Sequence, residues 1–396
     1  MKVAIISNLY PPFDRGGAEQ VVKKTVEGLL RSGLEVIVIT ATPQIEEVVH
    51  EGKLTIYRIT PKNIFFYTDA HRYSFFFRLV WHVCDIFNLS SAWRVRKILQ
   101  KEQPDVVHTH NLMGLGFLIP RVLRKLHLRH IHTVHDVQLV EPSAMIMKRD
   151  DNSWRYRSVF TQVYMAVMKL LLGRPEVVIS PSQFLLDFYQ SRGFFRSSQT
   201  TLLRNPVTFK IEGKKQQKNT HEPFRFFYIG QIEFHKGVLL LVDAFRQLAL
   251  IHTAIELHIV GNGSLLPEMK ERVSGLTHVF VHGRIPRENL PHLFQKMDIT
   301  VVPSLCYENS PTVIFESFAS GVPVLASDIE GVAELIQDHK NGFTFKTGDV
   351  DSLTTAMSWC LAHQTEVQIM GEQATALLPG NSEQTYIKTL LSIYRR

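Results

Sequence analysis

Two glutamates stand eight positions apart in ENSPTVIFESFASGVP, residues 308–323, with a proline between them. Serine is a favourable N-cap, and proline suits the first helical position because its missing N–H would be unpaired there anyway. Ser310 and Pro311 therefore predict a helix start. Val313, Ile314 and Phe318 follow at helical spacing, and Gly321 with Pro323 ends the element. The free N–H groups of Thr312 and Val313, at the positive end of the helix dipole, would make an anion site. Glu316, a little over one turn inside, could accept hydrogen bonds from the paired hydroxyls of a ribose. Taken alone, the stretch reads as well as a capped amphipathic helix with a solvated glutamate.

Other loops offer matching chemistry. In GQIEFHKG, residues 230–237, Lys236 sits where an ammonium could reach a phosphate, although a lysine near a helix start is more often a surface residue. GNGS at 261–264 begins with Gly261 at a strand end and lets a ligand approach the backbone. GRIP at 283–286 exposes backbone groups that could read a flat base edge. No G-x-G-x-x-G fingerprint and no Walker A lysine motif occurs, which argues against a dehydrogenase and a P-loop enzyme. Histidines at 108, 110, 130, 132 and 135 invite a metal reading, but the pairs lack a third ligand at fixed spacing. Asp349-x-Asp351 imitates a metal pair, yet it precedes a helical stretch, where capping by Asp is the better reading. No metal is expected.

The elements that must hold these loops repeat between the two halves. KVAIISNLY is a short apolar strand; the loop PPFDRGG follows, then a helix with Ala18, Val22, Val26 and Leu29 on one face. LEVIVIT is the next strand, so the unit is βαβ with the Gly16–Gly17 pair near the helix start. FRFFYIG, the Lys236 loop, a helix through Val238, Leu241, Val242, Phe245 and Leu248, and IELHIVG repeat that order. Later apolar runs (PDVVHTH, EVVIS, HVFVHG, DITVVPS, PVLAS) look like parallel strands buried on both faces. Two doubly wound α/β domains follow, with ligands expected at the carboxyl ends of the strands. The boundaries fall at residues 1–207, a polar lysine-rich linker at 208–223, a second domain at 224–378, and a helix within 379–396 capped at Asn381 or Ser382.

Composition narrows the class further. The 396 residues carry three cysteines, too few and scattered for a disulfide framework or a zinc site. The apolar run after Lys2 is too short for a signal peptide, and no stretch approaches the length of a spanning helix, so a soluble cytoplasmic protein is expected. Residues 1–207 hold 27 Lys+Arg against 17 Asp+Glu, whereas the remainder holds 17 against 20. A polyanion or an anionic membrane should therefore meet the first half. Within it, residues 58–101 combine eight Lys/Arg, two acids and ten aromatics, a mix that suits either an interfacial surface or ordinary core aromatics. No nucleic-acid motif accompanies the charge.

In order along nearly the whole chain, GGAEQVV, HTHN, HD, LRNPV, YIGQIEFHKG, IVGNG, VHGRIP and ENSPTVIFESFASGVPVLASDIEGVAELI resemble the retaining glycosyltransferases of family 4. That resemblance implies the GT-B fold: two Rossmann-like domains facing a central cleft, with a C-terminal helix crossing back onto the first. It implies that Glu308 touches hydroxyls of the donor sugar, Glu316 the ribose and Lys236 the diphosphate. Arg284 and Ile285 would hold the base through their backbone, Gly16 and Gly17 would admit the phosphates and acceptor, and His135 would hydrogen-bond the donor sugar. Gln231 stands where the family often has an arginine, which removes one charge-assisted phosphate contact. The implied activity is transfer of a hexose from a nucleotide diphosphate sugar to a glycan or lipid-linked glycan, without a metal. An epimerase of the same fold and a non-catalytic nucleotide-sugar-binding subunit are the alternatives.

Overall fold

A computed structural model describes residues 1–13, 16–207, 222–378 and 382–396. Part of the loop before Gly16, most of the expected linker and the expected cap at Asn381 lie outside the described residues. The chain forms two compact units.

The first unit comprises residues 1–145, 152–204 and 383–396. Its elements are β1 (Lys2–Ile6), α1 (Gly17–Arg31), β2 (Glu35–Ala41), β3 (Glu47–Glu51), β4 (Leu54–Ile59), α2 (Phe75–Ile86), α3 (Leu89–Glu102), β5 (Val106–Thr109), α4 (Ile119–Lys125), β6 (His130–Thr133), α5 (Val159–Leu172), β7 (Val177–Ser180), α6 (Gln183–Ser191) and β8 (Gln199–Leu202). The strands make one sheet in the order β3-β4-β2-β1-β5-β6-β7-β8. Every pair is parallel except β3 with β4. Strand order reverses at β1, so the carboxyl ends of β1, β5 and β6 border the topological switch where such sheets take ligands. Val3–Ile6 and Val106–Thr109 are buried throughout, as strands covered on both faces must be.

The second unit comprises residues 146–151 and 205–382. It contains β9 (Phe224–Ile229), α7 (Val238–Ala249), β10 (Ile255–Val260), α8 (Leu266–Arg272), β11 (Val279–Gly283), α9 (Leu290–Phe294), β12 (Ile299–Val302), α10 (Thr312–Ala319), β13 (Val324–Ser327), β14 (Gly342–Phe345), α11 (Val350–Ala362) and α12 (Gln364–Ala376). The sheet runs β11-β10-β9-β12-β13-β14, all parallel. One strand departs from the sequence reading: β11 lies at the edge and alternates between half-buried and exposed, because no described strand pairs with its outer side. Met147 bridges Cys306, and the Lys148 N–H donates to Leu305 O at 2.9 Å, so segment 146–151 lies along the loop after β12.

The last helix, α13 (Glu383–Tyr394), packs on the first unit, with Tyr386, Ile387, Leu390, Ile393 and Tyr394 in one core with Val21, Val22, Val26 and Leu29 of α1. Arg129 caps it by donating to the carbonyls of Tyr394 at 2.6 Å and Ile393 at 2.8 Å. Those carbonyls have no partner within the helix, and a cation there also meets the negative end of the dipole. The Tyr394 hydroxyl shares a 2.6 Å hydrogen bond with His108 Nδ1 on β5. Asp349 caps α11 through Ser352 N at 3.0 Å, as the sequence suggested.

Candidate active site

Lys236 and Glu308 come from loops 72 residues apart, at the ends of β9 and β12, and they meet: Lys236 Nζ donates to Glu308 Oε1 at 2.5 Å. Ser304 Oγ donates to the same oxygen at 2.8 Å. Burial alone would lower the Lys236 ammonium, but the Glu308 carboxylate outweighs it and holds the group charged above its ordinary range. The backbone of Glu308 is held from the other side by Gly331. That residue has φ +79°, and a Cβ there would lie 1.8 Å from Glu308 O. Only glycine fits so close an approach at that angle.

Glu316 is 2% exposed on α10, so it is not the solvated glutamate of the bland reading. It forms an ion pair with Arg287, which follows the loop after β11. Removing Arg287 would take a charge partner from a buried carboxylate, a change that costs about 3–5 kcal/mol. The start of α10 corrects the sequence reading: Pro311 occupies the cap position, no side chain caps the helix, and the first helical residue is Thr312. Ser310 is pulled out of the helix because Asn205 Nδ2 donates to its carbonyl at 2.9 Å. The N–H groups of Thr312 and Val313 are still among the first of the helix, ahead of its internal bonding.

The remaining candidates of this unit line the same strand ends. Ile285 and Val313 pack against one cluster with Phe227, Val260 and Phe294, which brings the loop of Arg284 and Ile285 to the start of α10. Gln231 O accepts from the Tyr228 hydroxyl at 2.6 Å. Gly261 has φ +150°, and a Cβ there would meet Gly230 O at 1.8 Å, so the β9 and β10 loops touch backbone to backbone.

His135, Gly16 and Gly17 belong to the first unit. Gly16 N donates to Glu19 Oε2 at 2.9 Å, and Glu19 is 7% exposed at the start of α1. His135 Nε2 and His110 Nδ1 share a 2.8 Å hydrogen bond. Burial lowers the His135 imidazole to about 4 and raises the neighbouring Asp136 carboxyl to about 7, with Glu19 adding to the latter. The five histidines of β5, β6 and the loops after them are linked to hydroxyls or to one another: His108 to Thr133 at 2.7 Å, and His130 and His132 to Thr109 at 2.7 and 2.8 Å. Among the described residues, no group of three or more such side chains could hold a metal. Arg287 and Glu19 escaped the sequence reading: no motif marks Arg287, and Glu19 lay unremarked inside GGAEQVV.

An ammonium paired with a carboxylate, a helix start with free N–H groups and a second buried glutamate beside an apolar wall suit an anionic ligand that carries hydroxyls. Residues 15–209 match glycosyltransferase family 4, and residues 209–377 match the glycosyl transferases of group 1. The chain is a family 4 glycosyltransferase.

This glycosyltransferase is 25% identical over 356 residues to an uncharacterised 42.6 kDa protein in the cps region of Klebsiella pneumoniae, covering 89% of this chain and 92% of that one. It is 29% identical over 220 residues to the lipopolysaccharide 1,2-N-acetylglucosaminetransferase of Salmonella typhimurium, covering 51% and 57%. Its fold matches sucrose-phosphate synthase of Thermosynechococcus elongatus with a TM-score of 0.78 at 20% identity, covering 100% and 98%. Anabaena HepE in complex with UDP-glucose matches with a TM-score of 0.70 at 16% identity, covering 100% and 99%. Both domains of the expected GT-B fold are thus present. The enzyme has no described helix long and apolar enough to cross a membrane.

Proposed function

We propose that the enzyme transfers a hexose from a nucleotide diphosphate sugar to a hydroxyl of a glycan or lipid-linked glycan, with retention of configuration, in cell-surface polysaccharide assembly. The carrying observation is the 2.5 Å pair of Lys236 with Glu308 in the same unit as the buried Glu316 at α10. Glu316 binds the ribose, the N–H groups of Thr312 and Val313 with Lys236 bind the diphosphate, and Glu308 orients sugar hydroxyls. Arg284 and Ile285 present their backbone to the base, and Gln231 and Gly261 border the phosphates. Residues 224–378 form the donor domain. Residues 1–207 form the acceptor domain, with Gly16 and Gly17 as its candidates for the phosphates and acceptor and His135 as its candidate for the sugar. Charge develops on the leaving diphosphate as the glycosidic bond breaks, and preorganised donors lower that barrier without a metal. The same diphosphate takes the acceptor proton on the face it leaves, which accounts for retention.

HepE in complex with UDP-glucose supports a nucleotide sugar as donor, and the Salmonella transferase supports a surface-glycan acceptor. Cytoplasmic placement rests on three free cysteines, of which two are buried. The test is incubation with a panel of nucleotide sugars and an acceptor extract. Acceptor-dependent nucleotide release with an α- or β-linkage matching the donor is the expected result. Interconversion of sugars would make the protein an epimerase, and binding without turnover a non-catalytic subunit.

A further inference from the structure

The aromatics of residues 58–101 divide sharply. Phe65, Tyr67 and Trp81 form a buried cluster with Leu9, whereas Phe75, Phe76, Phe77 and Phe87 are exposed, Phe75 by 75%. Helix α2 thus buries Trp81, Asp85 and Ile86 and turns an apolar face outward. A second helix of the same unit does likewise. Helix α5 has Lys169 as its one charged residue. It buries Met165, Met168, Leu171 and Leu172 but exposes Val159, Phe160, Val163 and Leu170, with Phe160 at 87% and Leu170 at 76%. A helix that is apolar all round and still at the surface needs a partner for its outer face. Residues 75–93 and 154–170 supply 13 of the 25 large apolar side chains exposed among the described residues, so the exposure is concentrated rather than scattered.

Helix α3, which follows α2 directly, packs on α4, and α4 packs on α5, so the helices share one layer of the unit. Charge selects the partner. Stretch 72–101 holds six Lys/Arg and one acid, and stretch 152–175 holds four and none. The single acid, Asp85, is 1% exposed and accepts from Gly114 N at 3.0 Å. Arg72 is met by Asp69, Arg94 by Glu46 and Arg155 by Glu141. No carboxylate among the described residues pairs with Arg78, Arg96, Lys97 or Arg157. Lys97 lies 3.7 Å over the ring of the exposed Trp93, a cation and an apolar plate side by side.

From this geometry we infer that the outward faces of α2 and α5, with Trp93 and Trp154, form one docking surface for an anionic lipid bilayer. Apolar side chains enter the headgroup boundary while the cations meet lipid phosphates. A second copy of this chain would place these uncompensated cations against each other, which disfavours it as the occupant. The inference rests on the proposed function only for its purpose, delivery of a lipid-linked acceptor.

The full-length protein is sedimented with vesicles of phosphatidylcholine alone or mixed with phosphatidylglycerol, without donor or acceptor, at low and high salt. Binding to the anionic vesicles is expected, reduced but not abolished by salt. Phe160→Ser and Phe76→Ser, both at exposed positions, should each weaken it about tenfold, the worth of roughly half a buried phenyl ring. Nucleotide binding by the same variants, read by calorimetry, should be unchanged, which separates this surface from the donor site. Equal vesicle binding by Phe160→Ser and the unsubstituted protein would overturn the role of α5. Absence of vesicle binding, or a dimer in light scattering that both substitutions dissociate, would overturn the surface as a whole.

Discussion

At the scale of single residues, the pair of Lys236 with Glu308 changes what each glutamate should do when removed. Glu316 is expected to hold ribose in ground and transition states alike, so Glu316→Ala should weaken binding of the bare nucleotide diphosphate and raise KM. Loss of a charge-assisted bond puts the effect on the order of 1.5–3 kcal/mol, about tenfold to a hundredfold. Glu308 instead neutralises the ammonium that a diphosphate needs. Glu308→Ala should leave affinity for the bare nucleotide diphosphate unchanged or tighter, while kcat falls because sugar hydroxyls lose their acceptor. Calorimetry on both variants decides: equal weakening would end this division of roles. The candidates legible in the sequence were those fixed by local chemistry, namely a lysine at a strand-end turn and glutamates flanking a helix start. Side-chain partners chosen by tertiary packing were not legible. Nothing local announces that Arg287 will pair with Glu316, or that Asn205 will draw Ser310 out of the cap position.

At the scale of elements, the order of strands and helices was legible because parallel strands buried on both faces read as apolar runs and the helices between them keep a one-sided stripe. Two features resisted that reading. An edge strand such as β11 resembles a central one when its neighbours are unknown, and the outward apolar face of α5 resembles core. Where α13 docks was equally closed to composition and periodicity, since it depends on Tyr394 reaching His108 and on Arg129 reaching the carbonyls of Ile393 and Tyr394. Tyr394→Phe leaves a buried imidazole nitrogen without its partner and should cost the first unit about 1–3 kcal/mol. In denaturant titration this appears as a lower midpoint for one transition only, with nucleotide affinity unaltered. A variant with both transitions unmoved would mean that the α13 contact contributes nothing measurable to stability.

At the scale of the whole molecule, the buried imidazoles of the first unit set the response to acid. Burial lowers His108, His110 and His130 well below the usual histidine range, His132 to about 3 and His135 to about 4. Unfolded histidines titrate near pH 6.5, so between about pH 4 and 6.5 the unfolded chain takes up as many as five protons that the fold refuses. Two carboxyls oppose this: burial raises Asp85 and Asp136 to about 7, and in the same window the fold holds their protons while the unfolded chain has released them. Five minus two leaves three protons in favour of the unfolded state. Stability of this unit should therefore rise with pH through the window, by on the order of 4 kcal/mol per pH unit, with His82, also lowered by burial, adding to the rise, and level off above about pH 7. Denaturant titrations between pH 5 and 7.5 measure it, and the transition shifted by Tyr394→Phe identifies the unit concerned. Asp85→Asn removes one opposing proton while keeping an acceptor for Gly114 N, so it should make the acid limb steeper. A flat profile, or a shallower limb in Asp85→Asn, would show that the buried histidines do not govern acid stability.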